Sequence, residues 1–290
     1  MRLAAITMQK NEDGLIDHWL SYYALLCGGY EHLHIFDDCS TSEAVRHSLE
    51  VAASQGANVY WNDDGKWKLE DKGRLASGII NDLRSAYDFY FPVDCDEFIC
   101  VDEDGMPSLS RDKIGAELEN APSGCMALRI ETAFQNIPHS TDVYRGSTKK
   151  VVVRGSERPV KLDTGFHLYD WWAKVDMLPP EDIAPSRIAH VHFQYRPFLK
   201  AIEFAREKLK NRVPDFSRET IENHTGGGFH LKPYFLMTED EYLGWFKHRT
   251  RIEIAAEFAK LGLDVPYSQT RPPLDEERLK QLLDPYNAAG

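Results

Sequence analysis

The alternation of segments in the first hundred residues most constrains what this chain can fold into. Residues 3–8, 32–36, 57–61 and 89–93 are short apolar runs that read as strands. Between them, residues 15–26 carry apolar side chains at helical spacing (Leu15, Ile16, Trp19, Tyr22, Tyr23, Leu26), and residues 42–54 and 74–87 read as two more helices. Strand and helix in this rhythm imply crossover connections and a largely parallel sheet. Ligands of such sheets bind beyond the carboxyl ends of the strands. Polar clusters stand at those ends: Lys10-Asn11-Glu12, Asp37-Asp38 and Asp94-Cys95-Asp96.

Further on the rhythm changes. Residues 125–130 and 149–154 look like strands with no helix between them, which predicts an antiparallel or mixed extension of the sheet. After about Pro197 the pattern is helical over 198–212, 239–261 and 275–283, and Thr238-Glu239-Asp240-Glu241 is a capping box opening the second of these. Residues 215–233, with Gly226-Gly227-Gly228, read as a mobile loop. The expected class is α/β: a Rossmann-like mixed, mostly parallel sheet flanked by helices, with a C-terminal helical extension.

Composition excludes several partners and sites. The formal net charge is -12 and no long Lys/Arg run occurs, so a nucleic-acid partner is not expected. No stretch of about 18 apolar residues exists, so no transmembrane segment is expected. The 5 cysteines are scattered without CxxC pairing, which argues against a zinc site or a disulfide framework and for a reducing cytoplasm. Peripheral attachment at an inner membrane face and a homo-oligomer stay open. Gly226-Gly227-Gly228 lacks a following Lys-Ser/Thr and is no P-loop; neither GxGxxG nor GxSxG appears.

The most informative segment is the apolar run ending in Asp94-Cys95-Asp96-Glu97. Where a strand ends the backbone turns, so Asp94 and Asp96 can address one ion. Hard cations such as Mn2+ or Mg2+ take oxygen ligands and share them with phosphates, and there they offset the charge of a departing diphosphate. A solvated acidic turn is the bland alternative. Asp37 and Asp38 are placed to accept from a nucleobase N–H or ribose hydroxyls, while Ser40-Thr41-Ser42-Glu43 also reads as a capping box with Ser40 starting a helix. Asn11 and Glu12 either touch a nucleotide or fix the loop that does; the alternative is that Asn11 or Asp13 caps the next helix. Arg74 is a cation for a phosphate, against a surface Arg near Glu70 and Asp71. Lys149 and Lys150 enter a strand and can meet a diphosphate, against an exposed hairpin as the competing account. His190 and His192 share one face of a strand, and neutral imidazole can complete a metal shell.

In order, Lys10-Asn11-Glu12, a helix containing His18-Trp19, Phe36-Asp37-Asp38-Cys39-Ser40 and Val93-Asp94-Cys95-Asp96-Glu97-Phe98 resemble the glycosyltransferase family 2 and family 92 group, over roughly residues 3–200. Lys150 leading into Val151-Val152-Val153-Arg154, a later His167, and His192-Phe193-Gln194-Tyr195-Arg196 resemble its downstream features. Ser42 departs from the pattern where many relatives carry an Asp. The resemblance implies a GT-A fold over 1–196, with a nucleotide-binding half at about 1–100 and an acceptor half at about 101–196, followed by the extension 197–290. It implies a metal-dependent, inverting transfer from a nucleotide-sugar donor, a UDP-sugar first, to a glycan or other hydroxyl acceptor, in polysaccharide biosynthesis. Asp37 or Asp38 and Arg74 would contact the nucleotide, Asp94 the ribose and metal, Asp96 the metal, and Lys150 and His167 the donor or metal.

Inversion needs a base for the acceptor hydroxyl. Glu131, Asp163 and Asp170 are the candidates, with Glu131 favoured because it is expected to end a strand. Phe166, Tyr169, Trp171 and Trp172 form either a platform for a sugar face or core. The competing readings are a nucleotidyltransferase and a non-catalytic carbohydrate- or metal-binding module.

Overall fold

The computed structural model describes residues 1–167, 169–170, 175–176 and 179–285, the side chains of 169, 170, 175 and 176 excepted. The first half runs β1 (Leu3–Gln9), α1 (Ile16–Cys27), β2 (Leu33–Asp37), α2 (Glu43–Ser54), β3 (Asn58–Trp61), α3 (Lys72–Asp82) and β4 (Phe89–Pro92). Then follow β5 (Glu97–Glu103), β6 (Met106–Ser108), α4 (Arg111–Glu119), β7 (Ala127–Asn136) and β8 (Asp142–Arg154). The chain continues through β9 (Tyr169–Asp170), β10 (Val175–Asp176), β11 (Ile183–Ala184) and β12 (Ile188–His192). It ends in α5 (Phe198–Leu209), α6 (Arg218–Asn223), α7 (Pro233–Leu236), α8 (Glu239–Gly244), β13 (Ile252–Glu253), α9 (Ala255–Ala259) and α10 (Glu276–Leu283).

The result is the expected mixed α/β sheet flanked by helices, with strand order β3-β2-β1-β4-β8-β7-β12-β5-β6. Its β3-β2-β1-β4 half is parallel throughout, and β8 joins β4 antiparallel. All of β1 is buried, as a strand covered on both faces must be. On one face α1 packs Trp19, Tyr22 and Tyr23 against Phe91 and Phe98; on the other, Ala76 and Ile80 of α3 meet Tyr90, Phe36 and Val151. Gly28, at φ 95°, ends α1 in the left-handed conformation that a side chain would resist.

Four local expectations differ. Helix α3 opens at Lys72 and stops at Asp82, where the Arg84 side chain takes the Asn81 carbonyl that a longer helix would have used. The helix expected over 239–261 is broken. Its capping box forms, with Thr238 Oγ1 accepting from Glu241 N at 3.2 Å, but α8 ends at Gly244. The chain then pairs Ile252 and Glu253 with Val143 and Asp142 at the edge of β8, and Ile254 and Phe258 enter the main core. Burial and sheet pairing there outweigh helical propensity. Residues 215–233 are no open loop: Ser217 caps α6, and Lys232 Nζ donates to the His224 carbonyl at 2.9 Å. Strand β7 runs on to Asn136, so Glu131 lies within a strand and does not end one. From the extension, Phe258, Val265 and Tyr267 also pack in the core that holds Trp19 and Phe98.

Candidate functional site

The carboxyl ends of β1, β2 and β4 open into one cavity of about 220 Å³, whose lining includes Glu12, Asp38, Asp94, Asp96 and His192. A wider cleft of about 720 Å³ adjoins it and shares Lys10, Glu12, Arg196 and Phe204. The clustering read from the strand ends is therefore one place in space.

The acidic turn is built by its own backbone. Glu97 N donates to the Asp94 carbonyl and Asp94 N to Glu97 Oε2, both at 3.0 Å, and Phe193 N holds the Asp96 carbonyl at 2.7 Å. Three carboxylates this close repel one another, and two lysines relieve that. Lys72, from the first turn of α3, contacts Asp94 Oδ1; Lys150, from β8, lies 2.7 Å from Asp94 Oδ2 and 2.6 Å from Glu97 Oε1. Both ammonium groups also sit over the ring of Phe166, at 4.5 and 5.7 Å from its centroid. Phe166 is thus fully buried core under the turn, and Trp171, Trp172 and the side chains of Tyr169 and Asp170 lie outside the described residues.

Burial alone would raise all three carboxyls, yet each is held below its ordinary value. For Asp94 the Lys150 and Lys72 charges outweigh burial, for Glu97 Lys150 does, and for Asp96 His192 brings the carboxyl to about 2. Lys150 is raised in turn by Asp94 and Glu97 against its burial.

Imidazoles approach the same turn from β12. His192 Nε2 is 3.6 Å from Asp96 Oδ1 and 3.9 Å from Glu97 Oε1, and His190 Nδ1 is 3.9 Å from Glu97 Oε1. His190 is fully buried with neither ring nitrogen hydrogen-bonded, and burial pushes it down to about 4, so it stays neutral. His192 is raised, because Asp96 outweighs the opposing effect of burial. Two sets can hold a cation, Asp94-Asp96-Glu97 and Glu97-His190-His192, each with ligand atoms within 4.8 Å of one another. The residues fit a divalent ion: oxygen and imidazole donors converge, and the orphaned His190 nitrogens leave donor capacity unused. Both oxygens of Asp94 are taken by lysines, whereas Asp96 and His192 face the cavity. His167 belongs to neither set. It bridges to Lys150 by backbone, while its ring faces Asp163 at 3.2 Å.

The structure separates the paired candidates. Asp37 is buried and structural, accepting from Gln9 Nε2 at 2.5 Å and Ser40 N at 3.0 Å. Asp38 lines the cavity and is oriented by Asn62 Nδ2 at 3.0 Å. Ser40 does not cap α2. Its Oγ accepts from Asn11 N, and Ser42 is the cap, accepting from Val45 N at 3.4 Å. Asn11 fixes the loop: its Oδ1 accepts from the backbone N–H groups of Thr41 and Ser42 at 2.8 and 2.9 Å, and α1 begins without a side-chain cap. Glu12 pairs with Arg196 at 2.7 Å at the mouth shared by cavity and cleft; burial raises its carboxyl against the pull of Arg196.

Arg74 turns outward and pairs with Asp71, so the α3 cation at the site is Lys72, two residues earlier. Of the three base candidates, the side chain of Asp170 lies outside the described residues, and neither Glu131 nor Asp163 lines the cavity. Glu131 is exposed beside Arg129 on a separate cavity with Asp102 and Arg187. Asp163 accepts from the N–H groups of Gly165 and His167 with Oδ1, and its Oδ2 faces the His167 ring. Two cations were missed: Lys72, whose signal was its place at a helix start before the acidic strand, and Lys208 of α5, for which the sequence holds no local signal.

No family model and no curated protein matches this chain. Among solved structures it is similar to residues 1–349 of TarS from S. aureus, at 13% identity over 86% of this chain and 73% of that one, with a TM-score of 0.42. The same fragment in complex with UDP-GlcNAc aligns at 14% identity over 80% and 69%, TM-score 0.39. Mannosyltransferase PcManGT from Pyrobaculum calidifontis, in complex with GDP-Man and Mn2+, aligns at 12% identity over 90% and 75%, TM-score 0.37.

Proposed function

We propose that the protein is a glycosyltransferase that takes a sugar from a nucleotide-sugar donor, a UDP-sugar first among them, with inversion, to a hydroxyl of a glycan acceptor. The observation that carries this reading is one cavity at the carboxyl ends of three parallel strands, lined by Asp38 together with the Asp94–Asp96 turn. That is where a doubly wound sheet receives a nucleotide. Asp38, held by Asn62, accepts from the base or ribose.

Asp96 and His192, with Glu97 and His190 behind them, are the residues that would hold Mn2+ or Mg2+. When bound, such an ion offsets charge on the diphosphate. Lys72 and Lys150 keep Asp94 ionised and the turn in place. In the transfer, the acceptor oxygen bonds to the anomeric carbon, and the bond from that carbon to the diphosphate oxygen breaks with its electrons going to phosphate. The acceptor proton goes to a carboxylate. We assign that step to Glu12, because it borders both the donor cavity and the wider cleft and its carboxyl is raised by burial. Glu131 and Asp163 stand outside that lining.

The test is product analysis. Purified protein with UDP- and GDP-sugars, an oligosaccharide acceptor pool and Mn2+ should release nucleoside diphosphate, and Glu12→Gln should slow release at least about 100-fold. Release of inorganic pyrophosphate from a sugar phosphate and a nucleoside triphosphate would instead identify a nucleotidyltransferase. Binding of sugar with no turnover of any donor would identify a carbohydrate-binding module.

A further inference from the structure

The cations around the cavity are not equivalent. Lys10 pairs with Glu207 at 4.0 Å, Lys72 and Arg196 with Asp94 and Glu12, and His192 faces Asp96. Lys208 of α5 lines the same cavity, and among the described residues it has no carboxylate within ion-pair distance. Its ammonium lies 5.2 Å from the ring of Phe204, whose face also receives Arg196 at 4.0 Å. Lys208 is half-buried. Burial lowers its pKa; Glu12 and Asp94 oppose that, while Arg196 and Lys72 lower it further by repulsion. Arg196 and Lys72 are each held by a carboxylate, which leaves Lys208 as the cation lining this space whose charge an anion there can neutralise.

We propose that Lys208 is an anion-binding residue for the diphosphate of the donor, so that α5 completes the donor site from outside the strand-and-helix half that carries the acidic turn. This deepens the donor-binding reading and rests on it for the identity of the anion. The diphosphate lies between Lys208 on the α5 side and Lys72 on the α3 side, while Arg196 on the α5 side stays paired with Glu12. Phe204 holds the two α5-side cations in position by presenting its ring face to both.

Titration calorimetry with Mn2+ present tests this on wild type, Lys208→Met and Lys208→Arg, using UDP, GDP, uridine and inorganic pyrophosphate as ligands. Loss of one charge-assisted contact should weaken pyrophosphate and nucleoside diphosphate about 10- to 100-fold in Lys208→Met, leave uridine unchanged, and be largely restored in Lys208→Arg. Thermal unfolding of both variants controls for folding, and Lys208→Gln replaces Lys208→Met if the latter is unstable. Unchanged affinity of the neutral variants for pyrophosphate and diphosphates overturns the role of Lys208 alone. Pyrophosphate binding that depends on Lys208, without any nucleoside preference, keeps the anion subsite and overturns the nucleotide-donor reading. If wild type binds none of the four, both fall.

Discussion

The Lys150 ammonium lies 2.6 Å from Glu97 Oε1, and both side chains are almost wholly screened from water. A buried carboxylate stripped of its partner is costly, because neither water nor another charge replaces it. Lys150→Met should destabilise the fold by about 3–5 kcal/mol, read from the denaturant midpoint. The double variant Lys150→Met with Glu97→Gln should recover a good part of that loss. A single variant within about 0.5 kcal/mol of wild type would show the pair to be incidental.

Asp96 and His192 make a second, separable test. Asp96→Ala should abolish Mn2+ binding, measured by loss of the free-ion EPR change, while the unfolding midpoint moves little. It should also lower the pKa of the His192 ring in NMR titration, because the Asp96 carboxylate is what lifts that ring against burial. An unmoved His192 titration would remove the coupling, and full Mn2+ binding would remove the metal role.

Gly73 lets α3 approach the chain at residues 162–163 so closely that a Cβ there would collide with the carbonyls of Leu162 and Asp163. Gly73→Ala therefore has to push α3 away and carry Lys72 off Asp94. The expected result is a loss of about 1–3 kcal/mol in stability with a weakened diphosphate affinity. Gly78→Ala, on the same helix with open space around it, is the control and should be neutral or slightly stabilising.

His34 sits buried beside Tyr60, its Nδ1 3.1 Å from the phenol oxygen, and burial with His32 nearby pushes it from 6.5 down to about 4. The folded chain keeps this ring neutral while the unfolded chain protonates it near 6.5. Stability is thus intact above about 6.5 and is lost as pH falls towards 4, by about 1.4 kcal/mol per pH unit for one such group. His190, also pushed to about 4, adds a loss of the same sign. Unfolding curves between pH 7 and 4.5 should show a shallower decline for His34→Phe than for wild type, and parallel declines would exclude His34 as a source.

Much of the site was legible locally. Alternating apolar runs place β1 to β4, and the residues that follow Phe91-Pro92-Val93 spell out the acidic cluster in one short window. Pairs of neighbours were harder. Asp37 and Asp38 look alike in sequence, yet one is spent on Gln9 and Ser40 while the other faces the cavity, because successive side chains at a strand end point to opposite sides. Arg74 and Lys72 are separated by two residues of helix, enough to turn one to solvent and the other onto Asp94.

Local pattern by itself determined the elements of the parallel half, the strand ends where charge gathers and the capping box at Thr238, since each depends on periodicity or on residues within one turn. Tertiary structure alone decided that residues 239–261 break to add a strand beside β8, that Glu131 and Asp163 fall outside the cavity, and that Lys72, His192 and Lys208 meet inside it. These outcomes join residues tens to more than a hundred positions apart. They follow from which faces of helix and sheet bury together, and no short window of sequence contains that information.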